Sequence, residues 1–476
     1  MNLYIDHHTF HYEMENLCRA FLFTEDVAVI HEYEALTAPY ILTSVRDAVR
    51  VELCTDTLHE TLTAPLSDDN ELCMGRLLYQ LLCQACGREL PWGILTGVRP
   101  IKLFSKLAAR DGVEEARRYF HETLYVSDEK IALAEQVREN QRAILERSGK
   151  RSFSLYVSIP FCPTRCNYCS FVSQTVERAK KLIDRYLPLL HEELRCTARL
   201  VRELELTLAS VYIGGGTPTT LSAEQLDLLL SEIEREFDLS RCAEFTVEAG
   251  RPDTVTREKL LALKRHPVTR ISINPQTFND SVLEHIGRRH DSQQTLDAYR
   301  LARALGFDNI NMDLIAGLTT DTPASFENTI NIIRALDPES VTVHTLAVKR
   351  SARLASSDAV KEQAYTARML AYAARELTDG GWEPYYLYRQ SKMLSNLENI
   401  GWAKQGFFSP YNVYIMEETH TILACGAGGV TKLRDTGSDY LERIFNFKYP
   451  YEYISRFDEL LERKARVKTF YSEYNK

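Results

Sequence analysis

The 476-residue sequence predicts an α/β fold: a partial parallel barrel, preceded by an α+β domain and followed by a mixed α/β region. Three observations point there. Strand-like segments recur near 155–160, 209–213, 244–248, 270–274, 309–315 and 340–346. Amphipathic stretches separate them, among them 222–236, 256–264, 292–305 and 323–335, and βα alternation implies a parallel sheet whose crossover helices cover it. Six such units are too few to close an eight-stranded barrel, so an open or three-quarter barrel is expected.

Residues 1–150 read as the N-terminal α+β domain with a helical linker. Short β-like pieces, Ala20–Ile30 and Ala48–Leu53, mix with helices there. Glu71–Cys86 is helical and ends at Gly87, a favourable helix terminus. A charged helix is expected over Ser127–Arg147, with Ser127 as its N-cap, and Ser148-Gly149-Lys150 leads into the barrel of 151–350. Beyond it, in 351–476, the βα register fades; 358–379 and 451–466 look helical and 383–388 strand-like.

Composition narrows the function classes. An apolar fraction of 45% and a charged fraction of 26% are those of a soluble globular protein. A net charge of −9 argues against a nucleic-acid surface as the main purpose of the chain. No apolar run approaches the roughly 18–20 residues of a membrane span, and the first residues lack the pattern of a signal peptide. Eleven scattered cysteines suggest no disulfide framework, so a reducing cytoplasm is the expected compartment.

Three of those cysteines carry the chemistry. Cys162, Cys166 and Cys169 lie on one loop in C-x3-C-x2-C spacing, directly after the first barrel strand. A zinc site would call for a fourth nearby ligand, and a disulfide would leave one thiol over. Three thiolates can instead hold three irons of a [4Fe–4S] cube and leave the fourth open for chemistry. Gly214-Gly215-Gly216-Thr217-Pro218-Thr219 follows the second strand; consecutive glycines there let backbone approach a ligand, or simply make a turn. Glu248 closes the third strand, where a carboxylate faces the mouth of a parallel barrel or else serves as a surface acid. Gln276 lies just past the fourth strand, Arg288 lies in Gly287-Arg288-Arg289-His290, and Asp313 is an acid inside an apolar strand. Such an acid needs a partner or a place at the mouth.

The cysteine loop resembles that of the radical S-adenosylmethionine (SAM) superfamily, whose barrel is a partial (β/α)6 type. The resemblance implies a [4Fe–4S] cluster whose open iron is chelated by SAM. It also implies one-electron cleavage to methionine and a 5′-deoxyadenosyl radical. Gly215, Gly216 and Thr217 would meet the SAM amino group, and Glu248 its ribose. The ordered set of cysteine loop, GGGTPT, QTFND, GRxH and MDLIxGL over residues 153–350 looks like the oxygen-independent coproporphyrinogen III dehydrogenase family. In that family Tyr156 matches a SAM contact and Tyr168 an aromatic flanking the cofactors. Gln276, Arg288 and Asp313 match residues that hold a second SAM. Pro91–Pro100 and Asn396–Gly401 look like the HemZ-type branch.

The resemblance implies a tetrapyrrole substrate and a reduced flavodoxin or ferredoxin-type electron donor. The expected reaction is conversion of coproporphyrinogen III propionates to vinyl groups. Two departures keep haem binding or delivery, and a different tetrapyrrole substrate, as alternatives. Family dehydrogenases carry a fourth cysteine where this chain has Phe171, after Ser170. Haem-chaperone relatives carry His-Asn-x-x-Tyr where it reads Tyr411-Asn412-Val413-Tyr414. Cys83 and Cys86 are expected in core packing, the isolated Cys18, Cys54, Cys73, Cys196 and Cys242 are expected to be buried, and His7-His8 to lie at the surface. Cys425 would occupy a turn or line a pocket. Tyr385–Arg389 would be a core strand or flank a planar substrate.

Overall fold

The computed structural model describes residues 1–22, 25–169, 174–346, 356–390 and 397–474, which divide into two units. The first takes in the described residues of Met1–Glu139, Thr345–Leu370 and Leu387–Asn399. It carries strands β1 (Asn2–Asp6), β2 (Ala28–Ile30), β3 (Tyr40–Val45), β4 (Val49–Cys54) and β5 (His59–Ala64), in sheet order β2-β1-β3-β4-β5. β1 runs parallel to β2 and β3, while β3, β4 and β5 form an antiparallel meander. Helices α1 (His11–Phe21) and α2 (Asn70–Cys86) bring Met14, Leu17, Leu78 and Leu82 into one core with Ile41, Val49 and Val51 of the sheet. The expected β-like piece Ala20–Ile30 is thus split: Ala20 and Phe21 finish α1, and the strand is confined to Ala28–Ile30.

Local chemistry sets the ends of α2. Asp69 accepts from the Leu72 amide at the N-terminus, and Gly87 takes a left-handed φ of 62° at the C-terminus. Two short helices follow, α3 (Pro100–Asp111) and α4 (Val113–Arg118), and then α5 (Asp128–Leu145). Ser127 caps α5 by accepting from the Lys130 amide. Trp92 and Glu398, one from each of the two segments that carry the branch resemblance, meet in the first unit. Trp92 Nε1 donates to Glu398 Oε2 at 2.7 Å, and Lys130 Nζ donates to Oε1 at 2.7 Å. Glu398 is fully buried, so both partners compensate the lost hydration of its charge.

The second unit takes in the described residues of Asn140–His344, Ala371–Tyr386 and Ile400–Lys476. Its barrel strands are β6 (Ser152–Ile159), β9 (Thr207–Gly215), β10 (Glu244–Glu248), β11 (Arg270–Ser272), β12 (Ile310–Ala316) and β13 (Ser340–Thr345). The two-residue pair β7 (Phe161–Cys162) and β8 (Gln174–Thr175) lies between the first two. Helices α6 (Val176–Glu203), α7 (Ala223–Glu236), α8 (Arg257–Lys264), α9 (Asp280–His285), α10 (Ser292–Ala304) and α11 (Pro323–Leu336) alternate with them. The six strands lie side by side in chain order, and the pairings from β6 through β12 are parallel.

The rest of the sheet comes from beyond residue 350, where periodicity fades. After α12 (Ser356–Asp379) come β14 (Glu383–Tyr388) and β15 (Asn399–Ala403). Then follow α13 (Pro410–Glu417), β16 (Thr421–Cys425), β17 (Val430–Arg434), β18 (Leu441–Phe445), α14 (Pro450–Ser455) and α15 (Phe457–Tyr474). β15 pairs antiparallel with β13, and β16 inserts parallel to β6. The order β14-β15-β13-β12-β11-β10-β9-β6-β16-β17-β18 does not return on itself among the described residues, so the barrel is open in its pairing. The helix expected over 451–466 is two helices, the second running on to Tyr474.

Candidate cofactor site

The alternation of β6 places Phe153, Leu155, Val157 and Ile159 in the core and leaves Tyr156 on the opposite face. The chain then enters the cysteine loop. Cys162, Cys166 and Cys169 form no disulfide, with Cys166 buried and the other two half-buried. The loop is fastened at several points. Asn167 N donates to Ile286 O at 3.0 Å, Thr164 Oγ1 to Gly287 O at 3.1 Å, and Cys169 N to Cys166 O at 3.2 Å. Donors also reach two of the sulfurs: Thr217 Oγ1 is 3.6 Å from Cys162 Sγ, and Arg251 Nη1 is 3.7 Å from Cys166 Sγ. Among the described residues no three His, Cys, Asp or Glu side chains converge on a single-ion position. Three unbridged cysteines on one tethered loop, with donors at Cys162 and Cys166, are a ligand set that an iron–sulfur cluster can take.

The glycine segment lies across the root of that loop. Gly216 N donates to Ile159 O at 2.9 Å and Thr217 N to Phe161 O at 2.8 Å. A Cβ at Gly216 would sit 2.6 Å from Phe161 O and 2.8 Å from Ile159 O, so a side chain there would drive two backbones apart. Gly215 adopts φ +104°, a conformation that favours glycine.

Glu248 and Tyr212 form the next layer. Tyr212 is in register with Tyr156 across the β6–β9 pair, and its hydroxyl donates to Glu248 Oε1 at 2.5 Å. The Tyr212 ring stacks on Tyr411 of α13 at 4.4 Å between centroids, and Tyr156 stacks on both at 6.3 and 6.4 Å. Burial pushes the Glu248 carboxyl up to about 7, against the opposing pull of the Tyr212 hydrogen bond. The same burial holds the Tyr156, Tyr212 and Tyr411 phenols above their ordinary range.

Gln276, Arg288 and Asp313 converge through Asn274. Asp313 N donates to Asn274 Oδ1 at 3.3 Å, and Arg288 Nη1 donates to Asn274 O at 2.8 Å. Gln276 is buried at φ +68°, with its amide donating to Asp313 O at 2.9 Å. A non-glycine residue held at such an angle stores strain of the kind that gathers at functional sites. Arg288 Nε and Nη2 share the Tyr168 hydroxyl at 3.3 and 3.1 Å, which ties this group to the cysteine loop. Burial works to raise the Asp313 carboxyl, but His344, Asn311 and Thr342 together hold it below its ordinary value. His344 Nε2 is 3.9 Å from Asp313 Oδ2, and Asn311 Nδ2 donates to Oδ1 at 2.7 Å.

Tyr212, Arg251, Asn274 and His344 were not among the residues singled out from sequence, and Tyr411 was named only as standing in place of the haem-chaperone histidine. The place of Tyr212, two positions before Gly214 in the second strand, was an available signal for the first. Nothing in the sequence tied Tyr411 to Tyr212, because α13 reaches the barrel only through the tertiary fold. Of the isolated cysteines expected to be buried, Cys18 is buried, whereas Cys54, Cys73, Cys196 and Cys242 are half-buried. Cys83 and Cys86 pack beside the core of the first unit, and burial raises both thiols, Cys83 to about 11. Cys425 is buried at the end of β16, 3.3 Å from Thr197 Oγ1. His7 is exposed, while His8 is half-buried against Thr43. Tyr385 and Tyr386 are buried in β14. Ser170 and Phe171 lie outside the described residues.

The family profile of the radical SAM superfamily matches residues 156–333. The oxygen-independent coproporphyrinogen-III oxidase-like protein HemZ of Bacillus subtilis is 38% identical over 397 residues, covering 82% of this chain and 79% of that protein. The chain belongs to the radical SAM superfamily, in its HemZ-like branch. The heme chaperone HemW of Bacillus subtilis is 40% identical over 197 residues, 41% of this chain and 51% of that one. Among solved structures, coproporphyrinogen III oxidase (HemN) from Escherichia coli superposes with a TM-score of 0.52 at 23% identity. It covers 68% of this chain and 72% of its own, and the likeness establishes the radical SAM fold. The family implies a [4Fe–4S] cluster and SAM. No helix among the described residues is long and apolar enough to cross a membrane.

Proposed function

We propose that this chain oxidatively decarboxylates propionate side chains of coproporphyrinogen III to vinyl groups. The observation that carries the proposal is the set of groups on the barrel strands and the segments that follow them. The three cysteines share one tethered loop, Thr217 Oγ1 lies 3.6 Å from Cys162 Sγ, and Glu248, Gln276, Arg288 and Asp313 come from the βα units that follow. When bound, the cluster and SAM supply a 5′-deoxyadenosyl radical that takes one hydrogen atom from the propionate. Loss of CO₂ and of one further electron to an acceptor then completes the vinyl group.

The chain's own residues bind and orient. Cys162, Cys166 and Cys169 would hold the cluster, and Gly215, Gly216 and Thr217 would present backbone to the amino end of SAM. Glu248 would accept ribose hydroxyls through Oε2, because Oε1 is taken by Tyr212. Tyr156, packed on Tyr212 and Tyr411, would help keep water from the bound cofactors, as radical chemistry requires. Tyr168 and Arg288 would clamp the cofactor end of the loop. Gln276 and Asp313, with Arg288, would hold a second SAM or the substrate's polar edge. A reduced flavodoxin or ferredoxin-type protein would supply the electron.

The test is anaerobic turnover of cluster-reconstituted protein with dithionite, SAM and coproporphyrinogen III, followed by chromatography for vinyl-bearing product. Product supports the proposal. Haem delivery is the second reading, favoured by Phe171 standing in place of the dehydrogenases' fourth cysteine. Stoichiometric haem that survives gel filtration, with no turnover, would establish that reading instead. The buried Tyr411 and Tyr414 offer no exposed phenol for haem iron, which weighs against it.

A further inference from the structure

Arg251 stands three residues beyond Glu248, in the segment leaving β10, and is only 3% exposed. Its guanidinium is held on all sides. Nε donates to Asp253 Oδ1 at 2.9 Å and Nη2 to Oδ2 at 3.0 Å, a two-point pair that fixes the plane of the cation. Nη1 donates to Thr164 Oγ1 at 3.1 Å and reaches Cys166 Sγ at 3.7 Å. Thr164 gives its own proton to Gly287 O, so its oxygen is oriented to receive the arginine. A buried, orientationally locked cation therefore points one N–H at the most buried of the three loop sulfurs.

Hydrogen bonds to cluster sulfurs and local net charge are principal settings of iron–sulfur reduction potentials. We propose that Arg251 is a positioning residue that donates to the Cys166 sulfur and, with Asp253 as its counter-charge, sets the reduction potential of the cluster. The inference rests on the reading that Cys162, Cys166 and Cys169 ligate that cluster. Reduction adds one negative charge to the cluster. The cation and its N–H favour the reduced state, and the Asp253 carboxylate opposes it. The two members of one ion pair therefore pull in opposite directions.

That opposition gives a test a purely structural role would not meet. Full-length wild type, Arg251→Gln and Asp253→Asn are reconstituted anaerobically, assayed for iron, and titrated potentiometrically by electron paramagnetic resonance without SAM. The midpoint of Arg251→Gln is expected below that of wild type, and the midpoint of Asp253→Asn above it. Loaded variants that keep the wild-type midpoint, or that both move the same way, overturn the inference. If Arg251→Gln takes up no iron, Asp253→Asn decides alone: a rise supports the inference and no rise overturns it. A wild type that takes up no cluster overturns the cysteine reading itself, which is a different result from a loaded cluster whose potential does not respond.

Discussion

Tyr212 gives its phenolic proton to Glu248 Oε1 across 2.5 Å, and the absent side chain of Gly214 makes room for the pair. A Cβ there would lie 2.9 Å from the Tyr212 ring and 3.0 Å from the Glu248 carboxyl. The first of the three glycines thus serves the acid, and the next two serve the cysteine loop. One short segment couples the two places where cofactor groups would bind.

The Glu248 carboxyl has a pH signature. Burial raises it from 4.5 to about 7, so between those values the folded chain binds a proton that the unfolded chain has released. Stability contributed by this group is greatest below about pH 4.5 and falls as pH rises through about 7. Urea unfolding of Glu248→Gln is expected to lose that downward slope. Tyr212→Phe removes the bond that opposes the shift and should move the window to higher pH, and SAM affinity should need a higher pH to reach its plateau.

His420 carries the opposite sign. Its ring joins Ser148 Oγ and Ser154 Oγ at 2.7 and 2.8 Å, and burial lowers it from 6.5 to about 3. Stability from the neutral ring is complete above pH 6.5 and is lost as pH falls toward 3, on the order of 5 kcal/mol over the whole span. His420→Gln should flatten the acid limb of an unfolding-versus-pH curve relative to wild type.

Gly216→Ala should be severe for its size. The added carbon would meet two carbonyl oxygens and an amide of the β6–β7 backbone within 2.8 Å, and backbone cannot swing aside as a side chain does. Overpacking of this kind costs about 1–3 kcal/mol. Because the strained contact is with Phe161, next to Cys162, iron retained after desalting should fall along with the melting temperature.

The sequence exposed the barrel because six short strand-like segments rich in apolar residues alternate with amphipathic helices. It exposed the cysteine loop, the glycines, Glu248 and Asp313 because each sits at the end of, or inside, such a strand. What lay beyond residue 350 was not legible for a physical reason. β16 is a five-residue strand whose place beside β6 is set by long-range pairing, with no crossover pattern of its own. Tyr411 likewise lies on a short helix of weak amphipathic pattern, and its stacking on Tyr212 is a tertiary event. Arg251 looked like any arginine in a loop until the fold brought Thr164 and Cys166 to it.

In the first unit, Trp92→Phe should uncover the value of one buried bond. It leaves Glu398 Oε2 without its indole donor while Lys130 still holds Oε1. Leaving a buried acceptor unpaired costs about 1–3 kcal/mol, more when the group is charged. The urea midpoint should fall accordingly. Trp92→Phe combined with Glu398→Gln should lose less than the sum of the two single changes, because the residues are in contact.

The most direct measurement is the yield of 5′-deoxyadenosine when anaerobically reconstituted protein is reduced in the presence of SAM, for wild type and for Cys166→Ala. Wild type is expected to form it, Cys166→Ala is not, and added coproporphyrinogen III should raise the yield together with vinyl product. A wild type with its cluster intact that releases no 5′-deoxyadenosine, with or without the tetrapyrrole, would contradict the account.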